Sequence, residues 1–198
     1  MHFRGALGYA LFCVGGATLA FTGGRYRIGM WRQQEAREQW EEAEARAVVA
    51  LARHAASVEA RYSAPLVAGA PIARLVIPRL GLDEIVLEGV DDDALNAGPG
   101  HLPGSALPGE RGNTVIAAHR DRHFAKLGQV SVGDTVITET GARRLRWVVI
   151  ATRVIDADAP ALFRTSEATL TLTTCWPIRY FGSAPERLIL TAKPLASS

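Results

Sequence analysis

The sequence predicts an all-β domain that follows an apolar segment, a helix and a linker. From about Ala73, short runs of β-branched and leucine residues alternate with turn residues. Upstream, Ala6–Gly24 carries no charge, and Met30–Arg61 contains neither Gly nor Pro. The predicted divisions are an N-terminal signal-anchor or transmembrane segment at 1–29, a helical stalk at 30–62, a linker at 63–72 and the β domain at 73–198.

The composition excludes some classes of function. Of 198 residues, 48% are hydrophobic and 21% are charged, which is typical of a globular protein with an added apolar segment. The net charge of +2 is too small to indicate a nucleic-acid partner, and no basic run is interleaved with aromatic residues. With only Cys13 and Cys175, the chain is not a disulfide-stapled fold.

The segment Ala6–Gly24 predicts a membrane anchor that contacts lipid. Its length approaches the ~20 residues that cross a bilayer, and it exceeds the apolar region of about 7–15 residues in a cleaved signal peptide. An uncleaved signal-anchor is therefore favoured over a cleaved signal. Positive residues flank the segment on both sides, at Arg4 and at Arg25 and Arg27, so charge alone does not orient it.

Met30–Arg61 predicts one long helix, because it is rich in Ala, Glu, Arg and Gln. Glu42 and Arg46 form a favourable i, i+4 pair. We interpret it as a stalk between membrane and domain; packing on the domain or a solvated spacer is a better explanation than a specific partner site. Its candidate apolar stripe comprises Trp40, Val48, Leu51 and Val58.

The β domain reads as many short strands, which is typical of a sandwich or barrel. Short helical pieces are predicted at Asp91–Asn96, with an acidic N-cap region, and at His123–Leu127. The Gly/Pro-rich stretch Gly98–Gly112 either shapes a cleft or is a long loop. The predicted strands are Ala73–Ile77, Ile85–Leu87, Asn113–Ala118, Thr135–Thr140, Leu145–Val154, Ala168–Thr174 and Leu188–Ala192.

Thr169–Pro177 (TLTLTTCWP) carries the main indication of function. Leu and Thr alternate as in a half-buried strand, and Cys175 comes where the strand stops before Pro177. A thiol at a strand end has a rigid support and can face a cleft. Thiolates are strong nucleophiles, so Cys175 is the candidate nucleophile for acyl transfer through a thioester.

His119 is the candidate general acid and base, because it ends the apolar run TVIAAH and precedes polar residues. Of the remaining histidines, His101 and His123 are the nearer competitors, whereas His2 and His54 belong to the anchor and stalk. Arg187 begins the last predicted strand, and its guanidinium could stabilise charge on a carbonyl oxygen. The alternatives for this role are Arg179, Arg120 and Arg122.

No metal or other cofactor is expected. His119 and Cys175 are too few ligands for zinc, and the sequence contains no CxxC or HExxH pattern. Asp91–Asp93 lacks the spacing of a calcium loop.

These segments together resemble the sortase family of membrane-anchored cysteine transpeptidases, over Ala73–Pro194. The ALPG, HRD and GSAP segments look closest to class D, whereas Trp176 resembles the class of Gram-negative bacteria. The matching segments are Gly100–Gly104 (GHLPG), Ala106–Gly109 (ALPG), Asn113–Arg120 (NTVIAAHR), Thr169–Pro177 (TLTLTTCWP) and Gly182–Arg187 (GSAPER).

The resemblance implies an eight-stranded β-barrel and an extracytoplasmic catalytic domain on a single-pass anchor. It implies that Cys175 cleaves an LPxTG-related C-terminal sorting signal of a protein substrate, after its Thr, and that an amine acceptor resolves the acyl-enzyme. His119 would be the general acid and base, and Arg187 would bind the carbonyl oxygen.

Two other hypotheses stay open. A hydrolytic cysteine protease would use the same thiol with water as acceptor, although a papain-like site is disfavoured because Cys175 does not begin a helix. A non-enzymatic, membrane-tethered β domain would keep its function without Cys175.

Overall fold

The computed structural model describes residues 27–46, 66–141, 143–157, 165–180 and 182–195, together with positions 14, 16, 17 and 24. Most of the predicted anchor, Cys13 and the second half of the predicted stalk lie outside the described residues, so the predictions for them stay predictions. No helix in the described ranges is both long enough and apolar enough to cross a membrane.

Eight strands close into a barrel in the order β1-β2-β3-β4-β7-β8-β6-β5, which confirms the predicted all-β class. A helix at 27–46, α1, precedes the barrel, and a short helix, α2, spans Asp92–Ala97. The strands are β1 (Pro71–Ile77), β2 (Leu82–Glu88), β3 (Gly100–His101), β4 (Asn113–Ala117), β5 (Thr135–Thr140), β6 (Arg143–Asp156), β7 (Thr169–Trp176) and β8 (Glu186–Pro194).

The core fills the barrel interior and follows the alternation of the strands. In β7, Leu170 and Leu172 are buried in the main cluster, and in β8 Leu188 and Leu190 join them. Because successive side chains point to opposite faces of a strand, the odd-numbered residues of β7 and β8 face the outside of the barrel. The Leu/Thr alternation read in the sequence therefore gives β7 one apolar face and one polar face.

Strand direction decides which ends of the barrel come together. β7 runs parallel to β4 on one side and antiparallel to β8 on the other. The C-terminal ends of β4 and β7 and the N-terminal end of β8 therefore meet at the same end of the barrel. The chain segments that carry the three candidate catalytic residues lie there.

Helix α1 packs on the outside of the barrel rather than standing in solvent. Ala36 and Trp40 form a second apolar cluster with Ile85 and Leu87 of β2 and with Ala97. Gln33 is only 7% exposed. Its side-chain amide donates to the carbonyl oxygen of Ala97 at 2.8 Å, and its carbonyl oxygen accepts from the N–H of Ile85 at 2.9 Å. The described half of the predicted stalk is thus part of the folded unit.

Local predictions differ in outcome. The piece predicted at Asp91–Asn96 is confirmed as α2, and the Asp91 carboxylate accepts from the N–H of Ala94 at 2.9 Å. The helix predicted at His123–Leu127 is wrong, because this segment forms turns followed by a 3₁₀ turn at Leu127–Gln129. β1 begins at Pro71 rather than Ala73, and β3 was not predicted.

Candidate active site

Cys175 is the next-to-last residue of β7 and lies directly opposite Arg187 of β8 in the antiparallel register. Opposed residues in such a pair carry their side chains on the same face, with Cβ atoms about 4.5–5.5 Å apart. Leu172 and Leu188 point into the core, so alternation places both Cys175 and Arg187 on the outer face. The thiol is unpaired and half-buried.

His119 follows the end of β4 on the other side of β7. Ala117 pairs with Thr173, and the N–H of Ala118 donates to the carbonyl oxygen of Thr173 at 3.2 Å. The parallel alignment therefore continues past the strand, and His119 lies at the level of Cys175. Because Ala118 is buried in the core, alternation places His119 on the outer face. The structure thus brings all three predicted site residues to one face of three adjacent strands.

The backbone after His119 forms a tight turn. The carbonyl oxygen of His119 accepts from the N–H of Arg122 at 3.3 Å and from that of Phe124 at 3.1 Å. The Phe124 side chain is fully buried in the core. This anchored ring holds the turn in place, so the imidazole stands on a fixed backbone.

Burial lowers the pKa of His119 below its ordinary value, because removing water disfavours the charged imidazolium. Asp121 and Asp92 oppose this shift, whereas the positive charge of Arg122 adds to it. The neutral imidazole, which can accept a proton, is therefore favoured at neutral pH.

Arg187 is half-buried and lies opposite Cys175 on the same outer face. Its Nη1 donates to the carbonyl oxygen of Glu186 at 3.3 Å. Across the described ranges, no carboxylate lies within ion-pairing distance of Arg187. A guanidinium carries five N–H donors, so it retains donors for a carbonyl oxygen that approaches Cys175.

The competing histidines are engaged elsewhere. His101 is fully buried; its Nδ1 lies 2.6 Å from Glu88 Oε2, and its Nε2 lies 2.8 Å from Ser105 Oγ. His123 lies 3.5 Å from a Glu84 carboxylate oxygen. Neither follows β4 at the level of Cys175, so the structure places only His119 of these three beside β7.

The competing arginines are also placed away from the position opposite the thiol. Arg120 donates to the carbonyl oxygens of Tyr180 and Gly182, and Arg122 donates to that of Asn96. Arg179 is exposed in the loop that follows Pro177. Only Arg187 is paired in register with Cys175.

Sequence reasoning missed one residue that organises this end of the barrel. Thr174 Oγ1 donates to the carbonyl oxygen of Ala118 at 2.7 Å. The signal available in the sequence was the alternation itself, since a threonine at an inward position of an apolar strand needs a partner for its hydroxyl.

A metal or cofactor site was not expected. In the part of the chain that the structure describes, no three His, Cys, Asp or Glu side chains cluster so as to hold a metal ion. The prediction that the protein uses neither metal nor cofactor stays a prediction.

The β domain as a whole is similar to known proteins. Sortase D of Bacillus subtilis (strain 168) is 32% identical over 121 residues, which cover 60% of this chain and 61% of that protein. The match therefore spans less than two thirds of that relative.

Solved structures show the same fold. A Sortase D5 transpeptidase from Clostridium perfringens superposes with a TM-score of 0.70 at 23% identity, covering 83% of this chain and 99% of that one. Sortase C of Clostridium perfringens, solved with the C-terminal cell wall sorting motif, gives a TM-score of 0.60 at 24% identity, covering 67% of this chain and 74% of that one. At these identities the likeness shows the fold alone.

A model of the sortase domain matches residues 75–195, from within β1 to the end of β8. This range contains the whole outer face on which Cys175, His119 and Arg187 lie. Because the match covers more than half of the sequence, the chain belongs to the sortase family.

Proposed function

We propose that the protein is a cysteine transpeptidase that cleaves an LPxTG-related C-terminal sorting signal and transfers the acyl group to an amine. The register of Cys175 opposite Arg187 is the observation that carries this proposal. Membership of the sortase family supports it. The sorting motif with which the Clostridium perfringens sortase C was solved supports the substrate class.

In the first half of the reaction, neutral His119 takes the proton of the Cys175 thiol, and the sulfur attacks the carbonyl carbon of the peptide bond after the Thr of the signal. The carbonyl oxygen gains negative charge, and the Arg187 N–H groups donate to it from the neighbouring strand. The C–N bond then breaks as protonated His119 gives its proton to the leaving amine. The products are a thioester on Cys175 and the released C-terminal fragment.

In the second half, an amine acceptor attacks the thioester carbon. Neutral His119 removes the proton from the attacking nitrogen, and burial of the imidazole favours this neutral form. The C–S bond breaks, the new amide leaves, and the Cys175 sulfur takes the proton back from His119, which regenerates the thiol and the neutral imidazole. Transfer and hydrolysis differ only in what attacks the thioester, which is an amine in the first case and water in the second.

Membrane anchoring and location form part of the proposal. The uncharged segment Ala6–Gly24 supports a single-pass anchor in the cell membrane, with the barrel on the extracytoplasmic side. Protease added to spheroplasts should digest the barrel while the membrane stays intact. Digestion only after lysis would place the barrel in the cytoplasm and contradict this part.

The test uses the full chain purified in detergent and a library of LPxT-type peptides, with and without an amine. Intact-protein mass spectrometry should show an adduct on Cys175 that resolves to an amide when amine is present. Cys175→Ala should form no adduct. His119→Ala and Arg187→Ala should lower kcat/KM by about 10²–10³-fold, whereas Arg146→Ala, which removes an exposed arginine of β6 at the other end of the barrel, should not.

The other outcomes point to the competing functions. Resolution of the adduct only to free acid in abundant amine would identify a hydrolytic protease. Absence of any adduct, combined with ordinary reactivity of Cys175 toward iodoacetamide, would favour a non-enzymatic domain. Full activity of Arg187→Ala would remove that residue from the mechanism.

A further inference from the structure

Arg120, the residue after His119, reaches from the end of β4 to the loop that joins β7 and β8. Its Nη2 donates to the carbonyl oxygens of Tyr180 at 3.0 Å and of Gly182 at 2.7 Å. Its Cζ lies 5.7 Å from the centroid of the Tyr180 ring, which is within the range of a cation–π contact. One side chain thus holds the loop by two hydrogen bonds and one ring contact.

The strand order makes this contact informative. The loop, described at residues 177–180 and 182–185, leaves β7 beside Cys175 and returns to β8 beside Arg187. β4 flanks β7 on the side opposite β8. A loop that joins β7 to β8 and also touches a residue after β4 must therefore cross the end of β7. The Arg120 contact therefore holds the loop at the end of β7, where Cys175 is the next-to-last residue.

The guanidinium is used for carbonyl groups rather than for charge pairing. Among the described residues, no carboxylate forms an ion pair with Arg120, and its Nη1 is buried without a hydrogen-bond partner. Its contacts therefore indicate a positional role.

We propose that Arg120 is a positioning residue for transpeptidation, which clamps the β7–β8 loop across the end of β7 as one wall of the groove that receives the sorting peptide. The inference rests on the proposed function. In this proposal, the Arg120 side chain connects the segment after β4, which carries His119, to the loop between Cys175 and Arg187. Loss of the clamp should affect the reaction with a peptide, which needs the groove, but not the reaction of the thiol with a small electrophile.

The experiment compares the full chain with Arg120→Ala, Arg120→Lys and Arg146→Ala, the last being an exposed arginine of β6 at the other end of the barrel. Thioester formation is measured with an LPxTG peptide, and thiol reactivity with iodoacetamide. Arg120→Ala should lower kcat/KM for the peptide by about 10–100-fold and leave alkylation of Cys175 unchanged. Arg120→Lys should recover part of the loss, because an ammonium can donate to a carbonyl oxygen but has no planar face to lie over Tyr180.

Two further readouts separate a positional role from a general loss of structure. Trypsin should cut after Arg179 several-fold faster in Arg120→Ala than in the unmodified protein. The acid limb of the pH profile of kcat/KM should stay where it is, because the side chain of Arg120 bonds to carbonyl oxygens of the loop and not to the imidazole.

Peptide kinetics and trypsin cleavage that both match the unmodified protein would overturn the inference. So would a shifted acid limb with unchanged trypsin cleavage, since that would make Arg120 an electrostatic residue. If Arg120→Ala does not fold, Arg120→Lys decides by the same readouts. A protein that forms no thioester with any peptide refutes the proposed function instead, and the trypsin comparison then decides whether Arg120 holds the loop.

Discussion

Thr174 Oγ1 donates a hydrogen bond of 2.7 Å to the carbonyl oxygen of Ala118. Thr174 precedes Cys175 and Ala118 precedes His119, so this bond joins the two chain segments immediately before the candidate nucleophile and the candidate base. Thr174 is buried, and the bond lies on the inner side of the sheet while the two reactive side chains face outward. This bond on the inner side of the sheet thus helps to fix the position of the thiol relative to the imidazole.

Thr174→Val should lower both stability and activity. The substitution keeps the shape but leaves the buried carbonyl oxygen of Ala118 without its donor, which costs about 1–3 kcal/mol. The free energy of unfolding from a denaturant titration measures this cost. Thioester formation should also slow at a temperature at which the variant is fully folded.

The control for this variant is Thr173→Val, one residue earlier on the outward face. Thr173 is half-buried and contributes only its backbone carbonyl to the pairing with Ala118. A loss of stability in Thr173→Val as large as in Thr174→Val would show that the hydroxyl of Thr174 is not responsible.

His119 should titrate below the ordinary histidine pKa of about 6.5. Burial disfavours the imidazolium, so a smaller fraction is protonated at any given pH and the midpoint moves to lower pH. An NMR titration of the ring measures it, in Cys175→Ala so that no thiol is coupled to the imidazole. In the active protein, the acid limb of kcat/KM should lie correspondingly low if the neutral ring is the base.

Asp121→Asn tests the direction in which a neighbouring charge shifts the pKa of His119. The Asp121 carboxylate raises the pKa of His119, so its neutralisation should move the midpoint to still lower pH. A midpoint above the ordinary value in either variant would contradict the dominance of burial.

The sequence was sufficient for the strands that carry regular alternation and not for the shorter elements. Leu and Thr alternate through Thr169–Thr174, so both the two-residue period of a strand and the position of its end could be predicted. β3 has only the residues Gly100 and His101, which is too short for any periodicity. His123–Leu127 forms turns because Phe124 is drawn into the core and His119 accepts two backbone hydrogen bonds.

The residue types of the site were predictable, but their alignment was not. Neither the separation of Cys175 and Arg187 in the chain nor the residues of the loop between them determines the register of a hairpin. Packing of α1 on the domain was one of the alternatives that the sequence left open, but the part played by Gln33 was hidden, since a glutamine in a charged helix reads as a surface residue. It is the backbone of Ile85 and Ala97 that gives Gln33 its buried partners.

Gln33→Leu should loosen helix α1. It would leave the buried N–H of Ile85 and the carbonyl oxygen of Ala97 without partners, at a cost of roughly 2–5 kcal/mol for the two groups. Denaturant titration of the full chain measures the change. Gln34→Leu is the matched control, because Gln34 is exposed and bonds only to Glu38 of the same helix. Its effect should stay within about 0.5 kcal/mol, and equal losses in both variants would refute the docking role of Gln33.

Gly100→Ala should destabilise the barrel, because β3 runs too close to its neighbours for a side chain. A methyl group there would overlap the carbonyl oxygen of Gly89 and lie 2.9 Å from Leu95 Cδ2. Overpacking of this kind costs about 1–3 kcal/mol, and the backbone oxygen has little freedom to move. Gly141→Ala is the control, since its methyl group would meet no atom within 4 Å. Thermal unfolding should show a lower Tm for Gly100→Ala alone; an unchanged Tm would mean that β3 shifts to accept the methyl group, and that its glycine is not required by close approach.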